Sequence, residues 1–505
     1  MSSLHTLSIP ELAEQVRSGA VSAEAVVQQT VARIAKHQGL NAFLHVAEQS
    51  ALQAARDIDR RRAAGEKLGP LAGVPVGIKD ALCTNDAPTC AASRILVRAS
   101  KAGEATGHAQ GWRPPYDATV VERLRQADAI MIGKTNMDEF AMGSSNENSA
   151  FGPVKNPWDE SRIPGGSSGG SAASVAARLV PGALGSDTGG SIRQPAALCG
   201  IVGVKPSYGR VSRYGLIAFA SSLDQIGPMA VDVRSAARLL QVTAGPDAHD
   251  STCADLPLPD YEAACDKPVT GLRIGVPDEY FSAGLDPEVE KSVRDALKHL
   301  ESMGCTLKRI SLPHTHYGLS TYYLVATAEA SSNLARFDGV RFGLRVEPDR
   351  SDLKTMYART RGAGFGMEVK RRIMLGTYAL SAGYYDAFYR KAQQVRTLIR
   401  RDFEHAFSEV DVIASPVAPA PAFKVGEKTA DPLLMYLSDV YTLPASLAGV
   451  AGLSVPSAPV PATADRPELP VGLQLLAPSF CEERIFCAAA ALERALPPRI
   501  PSAHQ

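Results

Sequence analysis

Two serine–glycine clusters carry the residue types needed for acyl transfer. Gly165-Gly166-Ser167-Ser168-Gly169-Gly170-Ser171 is followed, a short helix later, by Gly185-Ser186-Asp187-Thr188-Gly189-Gly190-Ser191, and Lys79 lies upstream in Gly77-Ile78-Lys79-Asp80. A serine hydroxyl is a poor nucleophile near neutral pH, and a lysine neutralised by burial can replace imidazole as its base. Lys79 follows an apolar run, Val74, Val76 and Ile78, and desolvation there would disfavour its ammonium form. A lysine that merely snorkels from a strand end would give the same local pattern. The serine clusters shift the balance, because a base, a relay hydroxyl and a nucleophilic hydroxyl form a complete proton path. The glycines expose backbone N–H groups that can hold the oxyanion of a tetrahedral intermediate, so the combination reads as acyl transfer on an amide or ester.

Other chemistries fit these residues less well. A phosphate-binding loop of the Walker type ends in Gly-Lys-Ser or Gly-Lys-Thr, which neither cluster supplies. Gly165–Gly169 and Gly166–Gly170 each fit G-x-S-x-G, which would nominate Ser167 or Ser168, but that motif needs a strand immediately before it. Asn156–Pro164 is turn-like instead, and His314, His316 and His405, the histidines that could complete a triad, stand in polar or helical contexts. The eight cysteines, Cys83, Cys90, Cys199, Cys253, Cys265, Cys305, Cys481 and Cys487, contain no C-x-x-C pair; scattered reduced thiols and no metal site are expected.

The elements that must position these residues read as α/β. Ser8-Ile9-Pro10-Glu11 has capping-box spacing, and Leu12, Val16, Val26, Val27, Val31 and Ile34 recur at helical intervals, so residues 1–65 are expected to form a helical N-terminal region preceding a catalytic domain over 66–505. From Leu71 short apolar runs such as Gly73–Gly77 and Ala129–Gly133 suggest buried strands joined by helices such as Ala118–Gln126. Leu272–Val276, a helix from Asp286-Pro287 and Thr306–Ile310 form a strand-helix-strand unit, with Val289, Val293, Leu297 and Leu300 on one helix face and Gly304 closing it. Residues 314–410 read as mainly helical, Val471–Leu476 as a strand and Glu483–Leu496 as a helix, while Arg98–Gly111 reads as a surface loop. With 53 basic and 53 acidic side chains among 505 residues, no net field draws nucleic acid or an anionic membrane to the chain. Neither a leader nor a stretch of about 18 apolar residues is evident, so a cytoplasmic protein without a membrane span is expected.

Gly165–Ala173 followed by Gly185–Pro195, with Gly73–Asp80 upstream, resembles the amidase signature family. Met137–Gly143, Phe219–Pro228, Glu329–Gly339 and Lys370–Tyr389 extend the likeness over essentially the whole chain, toward the glutaminase subunits of tRNA-dependent amidotransferases. The resemblance implies a mixed central sheet covered by helices. It also implies Ser191 as nucleophile, Ser167 as the cis relay serine and Lys79 as base, with an oxyanion hole from the backbone N–H groups of Thr188, Gly189, Gly190 and Ser191. Glutamine recognition falls on Tyr322, Arg372 and Asp439, the arginine suiting an α-carboxylate and the aspartate an α-ammonium. Arg98–Gly111 departs from the family as an apparent insertion. The implied assembly is a heterotrimer with amidotransferase subunits B and C. No cofactor is expected in this chain; ATP, magnesium and charged tRNA would belong mainly to the partner, and the ammonia released would convert Glu-tRNA(Gln) to Gln-tRNA(Gln). The alternatives are a stand-alone amidase acting on other small amides and a non-catalytic scaffold subunit.

Overall fold

Short apolar runs bounded by glycine and proline make the strands. The computed structural model describes residues 4–97, 107–282, 284–347, 352–497, 499–501 and 504. The strands are β1 (Phe43–Val46), β2 (Pro75–Lys79), β3 (Ile130–Thr135), β4 (Gly182–Asp187), β5 (Val202–Lys205), β6 (Gln225–Ala230), β7 (Arg273–Pro277), β8 (Thr306–Ile310), β9 (Val412–Pro416), β10 (Ala451–Pro456) and β11 (Gly472–Ala477). Among the described residues they form one eleven-stranded mixed sheet in the order β1-β3-β2-β4-β6-β5-β10-β11-β9-β7-β8. Every residue of β2 to β6 and of β9 to β11 is buried, as expected where helices cover both faces of a sheet. At the edges, β1 is half-buried and β8 largely exposed.

The strand order places the chemistry. β2 pairs in parallel with β3 and with β4, the latter with Ile78 opposite Leu184. Lys79 at the end of β2 and Asp187 at the end of β4 therefore leave the sheet at the same edge. In sheets of this kind the loops beyond the carboxyl ends of parallel strands form the binding crevice. The helix Gly169–Ala176, buried along its length, connects β3 to β4 and begins directly after Ser168. Its tight seat is held by Ser171 Oγ, 2.7 Å from Thr135 Oγ1 and donating to Leu184 O at 3.0 Å.

Several expected elements appear nearly residue for residue. The helix Pro287–Ser302, capped by Asp286, joins β7 to β8, and Val289, Val293, Leu297 and Leu300 are buried on it. Helices at Thr119–Gln126 and Glu482–Ala495 likewise match. Two segments differ from the sequence reading. The N-terminal region contains helices Ile9–Ser18, Ala23–Lys36 and Glu48–Ala63, but Phe43–Val46 is a strand paired antiparallel to β3. In the Arg98–Gly111 stretch, residues 98–106 lie outside the described residues, while 107–111 form a turn with Gly107, Ala109 and Gln110 exposed, as a surface loop should, but with one side chain directed inward. His108 is buried, Gly111 bridges to Val97, and Trp112 N donates to Leu96 O at 2.8 Å. Their polar, glycine-containing composition concealed an inward-facing imidazole.

Candidate active site

Burial of Lys79 is complete, and its amine sits among three oxygens. Lys79 Nζ lies 2.8 Å from Ser167 Oγ, 2.8 Å from Ser168 Oγ and 3.3 Å from Ser186 O. Desolvation lowers its pKa from the ordinary lysine value to about 7, against the pull of Asp138, Asp187 and Asp224. A neutral amine has two hydrogens and one lone pair, which matches three neighbours. Ser168 Oγ donates its own hydrogen to Ser186 O at 3.2 Å, so it can only accept from the lysine. Ser167 is thus the hydroxyl able to donate into the amine lone pair. The Gly166–Ser167 peptide is cis.

Ser191 lies on the loop after β4, next to this pair. Ser168 N donates to Ser191 O at 3.2 Å, and among the described residues no hydrogen bond joins the Ser167 and Ser191 hydroxyls; catalytic contacts of this type commonly tighten only with substrate bound. The N–H groups of Thr188, Gly189, Gly190 and Ser191 donate to no protein acceptor among the described residues, which leaves them available to an oxyanion. The loop is held from outside. Thr188 Oγ1 donates to Asp224 Oδ1 at 2.7 Å, and Thr442 Oγ1 donates to Gly189 O at 2.6 Å. Gly190 has φ of 152°, and a Cβ there would come within 2.3 Å of Thr442 Oγ1. Beneath the loop Asp187 accepts from Ile192 N and from both Nε and Nη2 of Arg193, the acid and the guanidinium each wholly buried. Arg193 also donates to Gln474 Oε1 on β11 at 2.7 Å and to Ser446 Oγ at 2.8 Å.

The opposite wall carries the charges. A Cβ on Gly189 would stand 2.8 Å from Tyr322 Cζ, and one on Gly190 3.4 Å from Asp439 Oδ1, so both side chains border the loop that carries Ser191. Asp439 Oδ2 accepts from Ser144 Oγ, whereas Oδ1 is buried without a partner. Burial raises its pKa to about 7, partly offset by the Ser144 hydrogen bond. Arg372 is buried and Arg371 exposed. Arg372 Nε donates to Glu368 Oε1 at 2.8 Å, and its guanidinium lies over the rings of Tyr323, Tyr436 and Phe219 at 5.1, 5.4 and 5.6 Å. Its two terminal nitrogens donate to no protein acceptor among the described residues. Tyr322 is buried beside the loop, whereas Tyr323 is half-buried and stacks on Tyr436 with centroids 4.0 Å apart. A cavity bordered by Glu147, Arg371, Arg372, Lys428 and Tyr436 opens beside them.

The Amidase family model matches residues 25–486. The chain belongs to the amidase family. This amidase is 58% identical to the A subunit of glutamyl-tRNA(Gln) amidotransferase from Myxococcus xanthus, covering 97% of each chain. It is 55% identical to the Chloroflexus aggregans protein of the same name, over 98% of this chain and 97% of the relative. The crystal structure of the Thermotoga maritima protein, again of that name, superposes with a TM-score of 0.78 at 39% identity, covering 99% of this chain and 98% of the other. The fold is therefore the α/β amidase fold expected from the signature. The amidase site also contains residues that sequence reasoning missed: Asp187 and Arg193 beneath the loop, Thr442 behind it, and Ser144, Glu368 and Tyr436 supporting the charged wall. Asp187 and Arg193 lie within the signature itself; nothing local marks the others. His314, by contrast, has its Nδ1 2.8 Å from Asp402 Oδ1 and joins none of these groups.

Proposed function

We propose that this chain is the glutamine-hydrolysing subunit of an amidotransferase that converts Glu-tRNA(Gln) to Gln-tRNA(Gln). The observation that carries the chemistry is the buried Lys79 amine set against Ser167; full-length identity to proteins so named carries the assignment. Lys79 Nζ takes the proton of Ser167 Oγ, Ser167 takes that of Ser191, and Ser191 Oγ attacks the side-chain carboxamide carbon. The N–H groups of residues 188–191 receive the developing oxyanion. Collapse expels ammonia, protonated back along the same path, and leaves a glutamyl ester on Ser191 that water hydrolyses. Arg372 would bind the α-carboxylate through its free terminal nitrogens, Asp439 Oδ1 the α-ammonium, and Tyr322 the chain between them.

The reaction on glutamine uses groups of this chain alone. Delivery of the ammonia calls for partners, which we assign as subunits B and C in a cytoplasmic heterotrimer, with ATP consumed, and the magnesium that accompanies it bound, on the partner. Among the described residues no helix is long and apolar enough to cross a membrane. The test is mass spectrometry of the assembled enzyme quenched during turnover. A glutamyl adduct on the Ser191 peptide, lost in Ser191→Ala, is expected; an adduct on Ser167 or Ser168 would overturn the assignment.

A further inference from the structure

Behind the catalytic strand lies a cluster that acyl transfer does not use. Asp80 follows Lys79, but its carboxylate turns to the loop beyond: Oδ2 accepts from Cys90 N at 3.2 Å and Ala92 N at 3.0 Å, and Oδ1 is 2.9 Å from His108 Nε2. Asp80 and Cys90 are wholly buried and His108 is 5% exposed. One ligand atom from each of the three lies within 4.8 Å of the others. His108 Nδ1 is buried with no hydrogen-bond partner, so the protein leaves half of this imidazole's polar capacity unmet in the interior. Backbone approach is built for the cluster as well, since a Cβ on Gly111 would fall 2.1 Å from Cys90 Sγ.

We propose that Asp80, Cys90 and His108 bind a divalent cation of the zinc class, which pins residues 107–111 against the strand end that carries Lys79. The donor set decides the metal class: one sulfur, one imidazole nitrogen and one carboxylate suit zinc or cobalt, whereas magnesium and calcium prefer all-oxygen shells. Ligand atoms around a tetrahedral zinc stand about 3.3–3.8 Å apart, so small side-chain rotations close the cluster on an ion. The ring of His45 stacks on that of His108 with centroids 6.2 Å apart, and the fourth position is left to a water or hydroxide. A thiolate and a carboxylate cancel the dication's charge, which makes burial of the whole tolerable. The nearby cation is Lys134, whose amine donates to Leu82 O and to Thr89 Oγ1 and whose pKa burial lowers. Burial also pushes the Cys90 thiol well above its usual range. Binding therefore breaks the S–H bond, forms the sulfur–metal bond and releases one proton to solvent for each ion taken up. Cysteine spacing could not reveal this site, because its ligands come from a strand end, a loop and the stretch containing His108.

The experiment is titration of the chelator-treated full chain with cobalt(II), followed by absorbance, with zinc content of the untreated protein measured in parallel. A thiolate-to-cobalt charge-transfer band saturating at one equivalent is expected, absent in Cys90→Ser and retained in Cys305→Ser. His108→Gln should weaken cobalt binding by at least about tenfold. A folded wild-type chain that gives no such band overturns the proposal, as does a band that survives Cys90→Ser. Should Cys90→Ser fail to fold, His108→Gln decides: unchanged affinity there also overturns it.

Discussion

The ionisation of single side chains sets the activity of this site. Lys79 works as a base only when neutral, and its pKa is lowered to about 7 by burial; the active form is populated above that value and lost below it. The rate on a simple amide should accordingly rise with pH through about 7 and then level, in a kcat/KM profile. Lys79→Ala should abolish that limb together with nearly all activity, and Lys79→Arg should not restore it, because guanidinium stays protonated. Asp439 must be ionised to hold an ammonium, and its pKa is raised to about 7 by burial. Glutamine hydrolysis should thus carry a second ionisation near neutrality that a simple amide lacks. Arg372→Ala and Asp439→Ala should raise KM for glutamine about tenfold to hundredfold, the loss of a charge-assisted hydrogen bond, while barely affecting a simple amide. Equal losses on both substrates would make these residues structural. The meeting of Lys79 with Ser167, and the placing of Ser191 beside them, could be anticipated because Ser167 and Ser191 stand in neighbouring serine–glycine clusters and Lys79 ends an apolar run that reads as a buried strand. The choice of Arg372 over Arg371, or Tyr322 over Tyr323, is geometric: neighbouring residues on a helix face directions about 100° apart, and nothing in their own types says which face meets the nucleophile loop.

At the level of elements, the nucleophile loop is a span of backbone fixed from two sides. Asp187 and Arg193 are paired with both side chains fully buried, and removing one partner of such a pair typically costs about 3–5 kcal/mol by stranding the other charge. Asp187→Asn should destabilise the fold by that order in denaturant unfolding, well beyond the effect of Ser191→Ala. Thr442→Val tests the other anchor. It deletes the hydrogen bonds to Gly189 O and Asp439 O and should lower kcat more than it raises KM for a simple amide, since it loosens the donors that face the transition state. The strand-helix-strand unit from β7 to β8 could be read in advance because its helix keeps one apolar face and its caps are Asp286-Pro287 and Gly304. β1 could not. It is four residues long between helical segments, and its partner β3 lies almost ninety positions away, with Val46 opposite Gly133. The anchor from Arg193 to Gln474 spans a still longer stretch of chain, and no periodicity encodes such a pairing.

Across the whole molecule, the balance of 53 basic and 53 acidic side chains bears on how the reaction is shared. Amidation of a charged tRNA requires the tRNA body to be held and its glutamyl carboxylate to be activated, and binding a nucleic-acid backbone rests on a surplus of lysine and arginine. This chain has neither that surplus nor a phosphate-binding loop of the Walker type. It does have a complete set of groups for releasing ammonia. Ammonia let go with no acceptor waiting would be lost to solvent, so the useful arrangement makes glutamine hydrolysis depend on an occupied partner. The isolated chain should therefore hydrolyse glutamine weakly and consume no ATP, and addition of its cognate subunits with Glu-tRNA(Gln) and ATP should raise glutamate formation. Coupled assays of glutamate, phosphate and Gln-tRNA(Gln) on the chain alone and on the assembled enzyme measure this directly. Formation of Gln-tRNA(Gln) by the chain alone, or tight ATP binding to it by calorimetry, would show that activation also resides here.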